Sequence, residues 1–136
     1  MEKIGSIKCT GKDEVERTFA VWEDFLGLFS DPEDRWHFYI YQGSRPAGEP
    51  FEVSLQPLQR VRNSAFTADI QGGDLRGMGI PEELILFIAN FTGKNIFSST
   101  SNLQSDGAKR MWARLKEKKI ADHQEDIYLV RPTPKG

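Results

Sequence analysis

Three consecutive segments in the middle of the chain alternate large apolar residues with polar ones, and this pattern constrains the fold more than any other feature. They are WHFYIY at 36–41, FEVSLQ at 51–56 and AFTADI at 65–70. A period of two residues is typical of strands with one buried face, and aromatic and β-branched residues favour strands. Turn residues separate the segments, so the sequence predicts an antiparallel meander.

Helices are predicted on both sides of this meander. Upstream, an acidic start is followed by apolar residues at helical intervals, which predicts one helical face that ends before Pro32. The residues on that face are Val15, Phe19, Trp22, Leu26 and Phe29. Downstream, Pro81 and two glutamates open an apolar segment that ends near Gly93, and this pattern predicts a buried helix.

The two ends of the chain supply the remaining elements. A short strand is predicted around Ile7, and NIFSST predicts another after the buried helix. Ser105 or Asp106 caps a further helix, and EDIYLVRP predicts a last strand. The apolar stripe of that helix is Ala108, Met111, Trp112 and Leu115. The predicted fold class is α/β (α+β): one domain over 1–136, with a mixed, mostly antiparallel sheet of about six strands flanked by helices.

Charge, cysteine and histidine content narrow the functional classes. With 18 Lys and Arg against 20 Asp and Glu, the formal net charge of -2 gives no global attraction for nucleic acid. The basic segment KRMWARLKEKK can contact nucleic acid, but a solvated helix face accounts for it better. Cys9, the one cysteine, precludes an intrachain disulfide, and His37 and His123 lack the spacing of a metal site. We expect a cytoplasmic protein with no membrane attachment.

The sequence RGMGIP joins a predicted strand to the buried helix. The first amides of a helix lack internal partners and lie at the positive end of its dipole, so an anion can bind there. Gly77 and Gly79 let the backbone approach a phosphate closely, and Pro81 presets φ for the first turn. An ordinary turn before a helix has the same composition, and that alternative stays open.

The segment RGMGIPEELILFIANFTGKNIFSST, followed by AKRMWARL, is similar to the coenzyme-binding half of the GNAT N-acetyltransferases. The resemblance implies the element order β-α-β-β-β-α-β-α-β and acetyl-CoA as cosubstrate. Ser105 and Trp112 stand where the family has Asn and Tyr, and the resemblance implies that both contact the coenzyme. The implied coenzyme contacts are Asp69, Ile70 and Gln71 for the pantetheine arm, and Arg76, Gly77, Met78, Gly79, Ile80 and Pro81 for the pyrophosphate.

The resemblance implies an N-acetyltransferase that moves an acetyl group from acetyl-CoA to a primary amine of an unidentified acceptor. Such transfer needs a base for the amine and an acid for the leaving thiolate. The candidates are Asp69, Tyr39, Tyr41, Trp112 and Tyr128. Because an indole is too weak an acid to release a proton, a catalytically inactive binding or interaction protein is the alternative. A homodimer is compatible with both functions.

Overall fold

The structure, a computed structural model, describes residues 2–25, 36–41, 43, 48–57, 65–71, 79–98, 106–124 and 127–133. These residues form one eight-stranded sheet and two α-helices. The strands are β1 (Glu2–Thr10), β2 (Glu16–Phe25), β3 (Trp36–Ile40), β4 (Phe51–Pro57), β5 (Ala65–Gln71), β6 (Asn95–Phe97), β7 (Ala121–Gln124) and β8 (Ile127–Val130). The helices are α1 (Ile80–Thr92) and α2 (Asp106–Glu117).

The predicted first helix is wrong, because its residues form β2. This strand pairs antiparallel with β1 on one side and with β3 on the other. Phe19 and Val21, two positions apart, are both buried, as the period of a strand requires. The helical spacing of the apolar residues was overridden by pairing with two neighbouring strands, which the local pattern does not report. Leu26 and Phe29 lie outside the described residues.

A tight turn, and not a helix start, follows β1. The backbone N–H of Gly11 donates to the carbonyl of Val15 at 3.2 Å, and Glu14 takes the left-handed conformation with φ 62°. Asp13 accepts a hydrogen bond from the backbone N–H of Val15 at 3.1 Å. An aspartate in this position stabilises a turn through its own backbone, so the acidic residues taken for a helix start close a hairpin.

The predicted central meander is confirmed. Strands β2 to β5 pair in sequence order, each antiparallel to the one before. Helix α1 then carries the chain back, so β6 pairs parallel to β5. After α2 the chain forms β7 at the edge of the sheet, and β8 lies between β7 and β6. Strand β7 was not predicted, because its four residues, ADHQ, are too few to show a period.

The two predicted later helices are present, and both belong to the same core. Helix α1 buries Leu84, Ile85 and Ile88 completely, and α2 buries Trp112 and Leu115. What we call the helix face of the sheet is formed in β3 and β4 by Trp36, Phe38, Ile40, Phe51, Val53 and Leu55. One apolar cluster includes residues of both helices and of this face.

The opposite side of the sheet, which we call the polar face, carries His37 and Tyr39 of β3, Tyr41 immediately after β3, and Glu52 and Ser54 of β4. Strand alternation places these residues away from the helix face. Tyr41 is buried but is not part of the core cluster, which agrees with its place on the polar face. Neither α1 nor α2 contributes to this face.

The sheet curls around α1 into a half-barrel. Helix α1 contacts β1 at one end of the strand order and β6 and β8 near the other end. The prediction of about six strands flanked by helices in a GNAT-like order is therefore wrong: the described residues form eight strands, with two helices on one face. Neither described helix has the length and apolar character needed to cross a membrane.

Candidate functional site

Strand β5 loses its neighbour on one side partway along its length. Its parallel pairing with β6 covers residues 65–67, whereas its pairing with β4 continues to Gln71. In the described part of the chain, no strand pairs with residues 68–71 on the β6 side. Backbone N–H and C=O groups on that side can pair with an extended chain that carries amides, as edge strands do. We call residues 68–71 the open edge of β5.

The polar face lies directly beside this open edge. Residues that pair across β2, β3, β4 and β5 form two rows, and paired residues share one face of a sheet. The first row is Trp22, Tyr39, Glu52 and Gln71. The second row is Asp24, His37, Ser54 and Asp69. Titratable residues of three strands therefore lie one to three strands away from the open edge.

A histidine and a carboxylate form the centre of this polar face. Nδ1 of His37 lies 2.8 Å from Oε1 of Glu52, and Oγ of Ser54 lies 3.1 Å from Nδ1 and 3.3 Å from Oε1. Since a carboxylate only accepts hydrogen bonds, this network assigns the imidazole proton to Nδ1 and leaves the lone pair on Nε2. The two side chains are 20% and 23% exposed. This arrangement can accept a proton at Nε2 while Glu52 stabilises the resulting imidazolium.

Two tyrosines continue the polar face along β3. Their rings and that of His37 form a stack, with centroids 5.9 Å apart for His37 and Tyr39 and 6.1 Å apart for Tyr39 and Tyr41. Burial, with the negative charges of Glu52 and Asp24, raises the pKa of Tyr39 to about 12. The same causes raise the pKa of Tyr41. Both phenols are therefore protonated at neutral pH and can donate hydrogen bonds.

Gly79, which was predicted to contact the coenzyme pyrophosphate, has a structural reason to be glycine. It adopts φ 76° immediately before α1, and a Cβ atom there would overlap the backbone carbonyl of Thr10. The requirement for glycine at this position therefore follows from the contact with β1, and it gives no evidence for a phosphate. Ile80 is buried and Pro81 is half-buried at the start of α1.

Carboxylates occupy the first turn of α1. Glu82 is 7% exposed, and its Oε1 lies 3.3 Å from Nε of Arg114 and 3.8 Å from Nζ of Lys118. Its Oε2 is buried and has no hydrogen-bond partner within the described residues. Burial, with the charges of Glu83 and Glu82, raises the pKa of Cys9 to about 12. The helix start is therefore negatively charged and is joined to α2 by ion pairs.

The remaining predicted site residues are divided among the core, the open edge and the undescribed segments. Trp112 is 2% exposed and stacks on Tyr128 at 6.0 Å, on the helix face. Tyr128 also stacks on His123 at 4.2 Å. Asp69, Ile70 and Gln71 form the open edge, although the side chains of Asp69 and Gln71 are not described. Arg76, Gly77, Met78 and Ser105 lie outside the described residues.

The sequence predictions missed the two residues at the centre of the polar face. In the sequence, His37 lacks the spacing of a metal site, and no motif singles out Glu52. The signal was present, because the alternation in WHFYIY and FEVSLQ places both on the non-core side of their strands. Their proximity requires the register that pairs Tyr39 with Glu52. The described residues contain no group of His, Cys, Asp and Glu that could hold a metal ion.

No protein-family model matches this chain, and neither a curated protein nor a solved structure matches it. What the chain does has to be inferred from the geometry of the polar face and the open edge.

Proposed function

We propose that this protein is an acyl-CoA-dependent N-acyltransferase that uses acetyl-CoA as donor and a primary amine as acceptor. The observation that carries the proposal is the position of the open edge of β5 beside the His37–Glu52 pair. An edge that can bind an amide chain and a side chain that can accept a proton are the two parts that amine acylation requires.

The open edge supplies a binding site for the pantetheine arm. This arm carries two amides, which can exchange hydrogen bonds with the backbone of Asp69, Ile70 and Gln71 in the manner of an added strand. Adjacent strands lie about 4.8 Å apart, so an arm added beside β5 is three strand spacings, or about 14 Å, from β3. The acceptor amine lies between them, over β4 and β5, and bridging waters connect it to His37.

His37 acts as the base in this proposal. Its Nε2 takes one proton from the acceptor ammonium through bridging water, which frees the nitrogen lone pair to attack the thioester carbonyl. A carbon–nitrogen bond forms, the carbon–sulfur bond breaks, and the second proton of the nitrogen passes to the leaving thiolate. His37 then returns its proton to solvent. The phenol of Tyr39 or Tyr41 donates a hydrogen bond to the carbonyl oxygen, where negative charge develops. Glu52 holds the imidazole in place through its contact with Nδ1.

The test combines coenzyme binding with turnover. A ligand at about 100 times its Kd stabilises a protein by roughly 2.7 kcal/mol, so a thermal scan with acetyl-CoA should show a clear rise in Tm. Thiol release in the presence of a diamine then measures turnover, and the buried Cys9 thiol contributes little background. We expect His37→Gln to lower kcat by about 100-fold or more while the Tm shift remains.

The matched control is His123→Gln, which changes the other histidine, exposed on β7 and outside the polar face. It should retain full turnover. The absence of a Tm shift at millimolar acetyl-CoA would contradict the proposal. Equal turnover in the two histidine variants would exclude His37 as the base.

A second function, a binding protein without catalysis, is favoured by one observation. Trp112 stands where the resemblance places a catalytic tyrosine, and its side chain lies in the core against Tyr128. A protein that has lost that acid would bind acetyl-CoA without releasing thiol. A Tm shift with no turnover for a range of amines would select this function.

A further inference from the structure

Negative charge is concentrated on the polar face. The carboxylates of Asp24 and Glu52 both lie close enough to Tyr39 and Tyr41 to disfavour ionisation of the two phenols. Within the described residues, the ion partner of Glu52 is His37, and no lysine or arginine pairs with it. The side chain of Glu52 is 23% exposed, so a cation in solution can approach the carboxylate, whose Oε1 accepts hydrogen bonds from His37 and Ser54.

The groups around Glu52 match the needs of a primary ammonium. Such a group donates three hydrogen bonds and accepts none. The carboxylate of Glu52 and the phenol oxygens of Tyr39 and Tyr41 are acceptors on one face of the sheet, and the tyrosine rings attract a cation in addition. Trp22, which pairs with Tyr39 across the sheet, extends this surface with an apolar ring that can contact an alkyl chain.

We propose that the cluster of Asp24, His37, Tyr39, Tyr41 and Glu52 is a binding subsite for a primary ammonium group on an aliphatic chain. Glu52 is its main ion partner, and the ring of His37, whose Nδ1 bonds to Glu52, borders the subsite. The inference deepens the proposed function by giving the acceptor a chemical class, a cationic alkylamine. Ammonium binding itself requires neither acetyl-CoA nor turnover, so it is tested separately.

The experiment titrates the full chain with 1,5-diaminopentane at low ionic strength, by calorimetry or by NMR shifts of the histidine and tyrosine rings. The neutral probe of equal length is 1,5-pentanediol, and Nα-acetyl-lysine methylamide represents an ammonium on a peptide. Two variants are compared with the unmodified protein. Glu52→Gln removes the proposed ion partner, and Glu117→Gln removes an exposed carboxylate of α2 outside the polar face.

We expect the two amines to bind and the diol not to bind. Glu52→Gln should raise the Kd for the diamine by about tenfold or more, and Glu117→Gln should leave it unchanged. Tighter binding of the lysine derivative would assign the subsite to a peptide side chain, and tighter binding of the diamine to a small polyamine. Both results support an ammonium subsite.

Three results would overturn the inference: no diamine binding, equal binding of diamine and diol, or equal diamine affinity in Glu52→Gln and Glu117→Gln. The comparison of diamine with diol uses the unmodified protein, so it stands even if Glu52→Gln does not fold. A Tm shift with acetyl-CoA but no diamine binding would retain the proposed function and reject only the ammonium subsite. Diamine binding without a Tm shift in acetyl-CoA would retain the ammonium subsite and reject the proposed function.

Discussion

The two faces of the sheet are formed by alternate residues of the same strands, but one is buried in the core and the other is partly exposed. On the helix face, Phe38, Val53 and Leu55 are fully buried in the core cluster that also includes residues of α1 and α2, and the driving force there is the removal of apolar surface from water. On the polar face, one residue away along the same strands, His37 and Glu52 stay partly exposed and bond to each other. The helix face therefore supplies most of the stability. The polar face holds side chains whose positions are set by the fold but which contribute little to its stability.

The largest expected difference between the faces comes from two neighbouring rings of β3. Phe38 is 0% exposed in the core, and Tyr39 lies on the polar face. Phe38→Ala should lower the free energy of unfolding by about 3–5 kcal/mol, because it leaves a cavity under α1. Tyr39→Ala should cost about 1–2 kcal/mol, because less of its ring is removed from water. Urea unfolding measures both, and similar losses would mean that the two faces share the stability.

The second comparison concerns the two glycines that flank α1. Both have positive φ, but a side chain at Gly79 would overlap the Thr10 carbonyl, whereas nothing lies within 4 Å of a side chain at Gly93. Gly93→Ala should therefore cost only the strain of the left-handed conformation, about 1 kcal/mol. Gly79→Ala should cost about 3 kcal/mol, because β1 or α1 must also move.

Thermal unfolding of the two variants measures this difference. Equal losses would show that Gly79 does not pack against β1. A side chain at Gly79 overlaps the Thr10 carbonyl and lowers stability. A loss of coenzyme binding in such a variant would therefore not identify a coenzyme site.

The smallest expected difference separates two tryptophans on opposite faces. Nε1 of Trp36 donates to Oε2 of Glu23 at 2.9 Å, whereas the buried Nε1 of Trp22 has no partner within the described residues. Trp36→Phe should be more destabilising than Trp22→Phe by about 1 kcal/mol, because only the first loses a hydrogen bond and leaves its acceptor unpaired. Chemical denaturation of both variants checks this order, and a larger loss for Trp22→Phe would show that its indole nitrogen has a partner.

Much of the secondary structure could be predicted from the sequence. The alternation in β3, β4 and β5, Pro81 and Gly93 at the ends of α1, and the apolar stripe of α2 are local signals that the structure confirms. The local pattern of the segment at 16–25 predicted a helix, whereas the segment is strand β2. Its apolar residues fit a helical period, but hydrogen bonds to β1 and β3 gave the strand more partners than a helix could.

The sequence by itself determined which residues of the central strands avoid the core, since a period of two assigns His37, Tyr39 and Glu52 to one side. Only the tertiary structure decided that Nδ1 of His37 meets Oε1 of Glu52, 15 positions further along the chain. That contact depends on the register between β3 and β4, and a slip of one residue would turn Glu52 to the other face. The tertiary structure likewise decided that, among the described residues, β5 pairs with β4 up to Gln71 but with β6 only up to Thr67, because the length of a strand's pairing also depends on its neighbour.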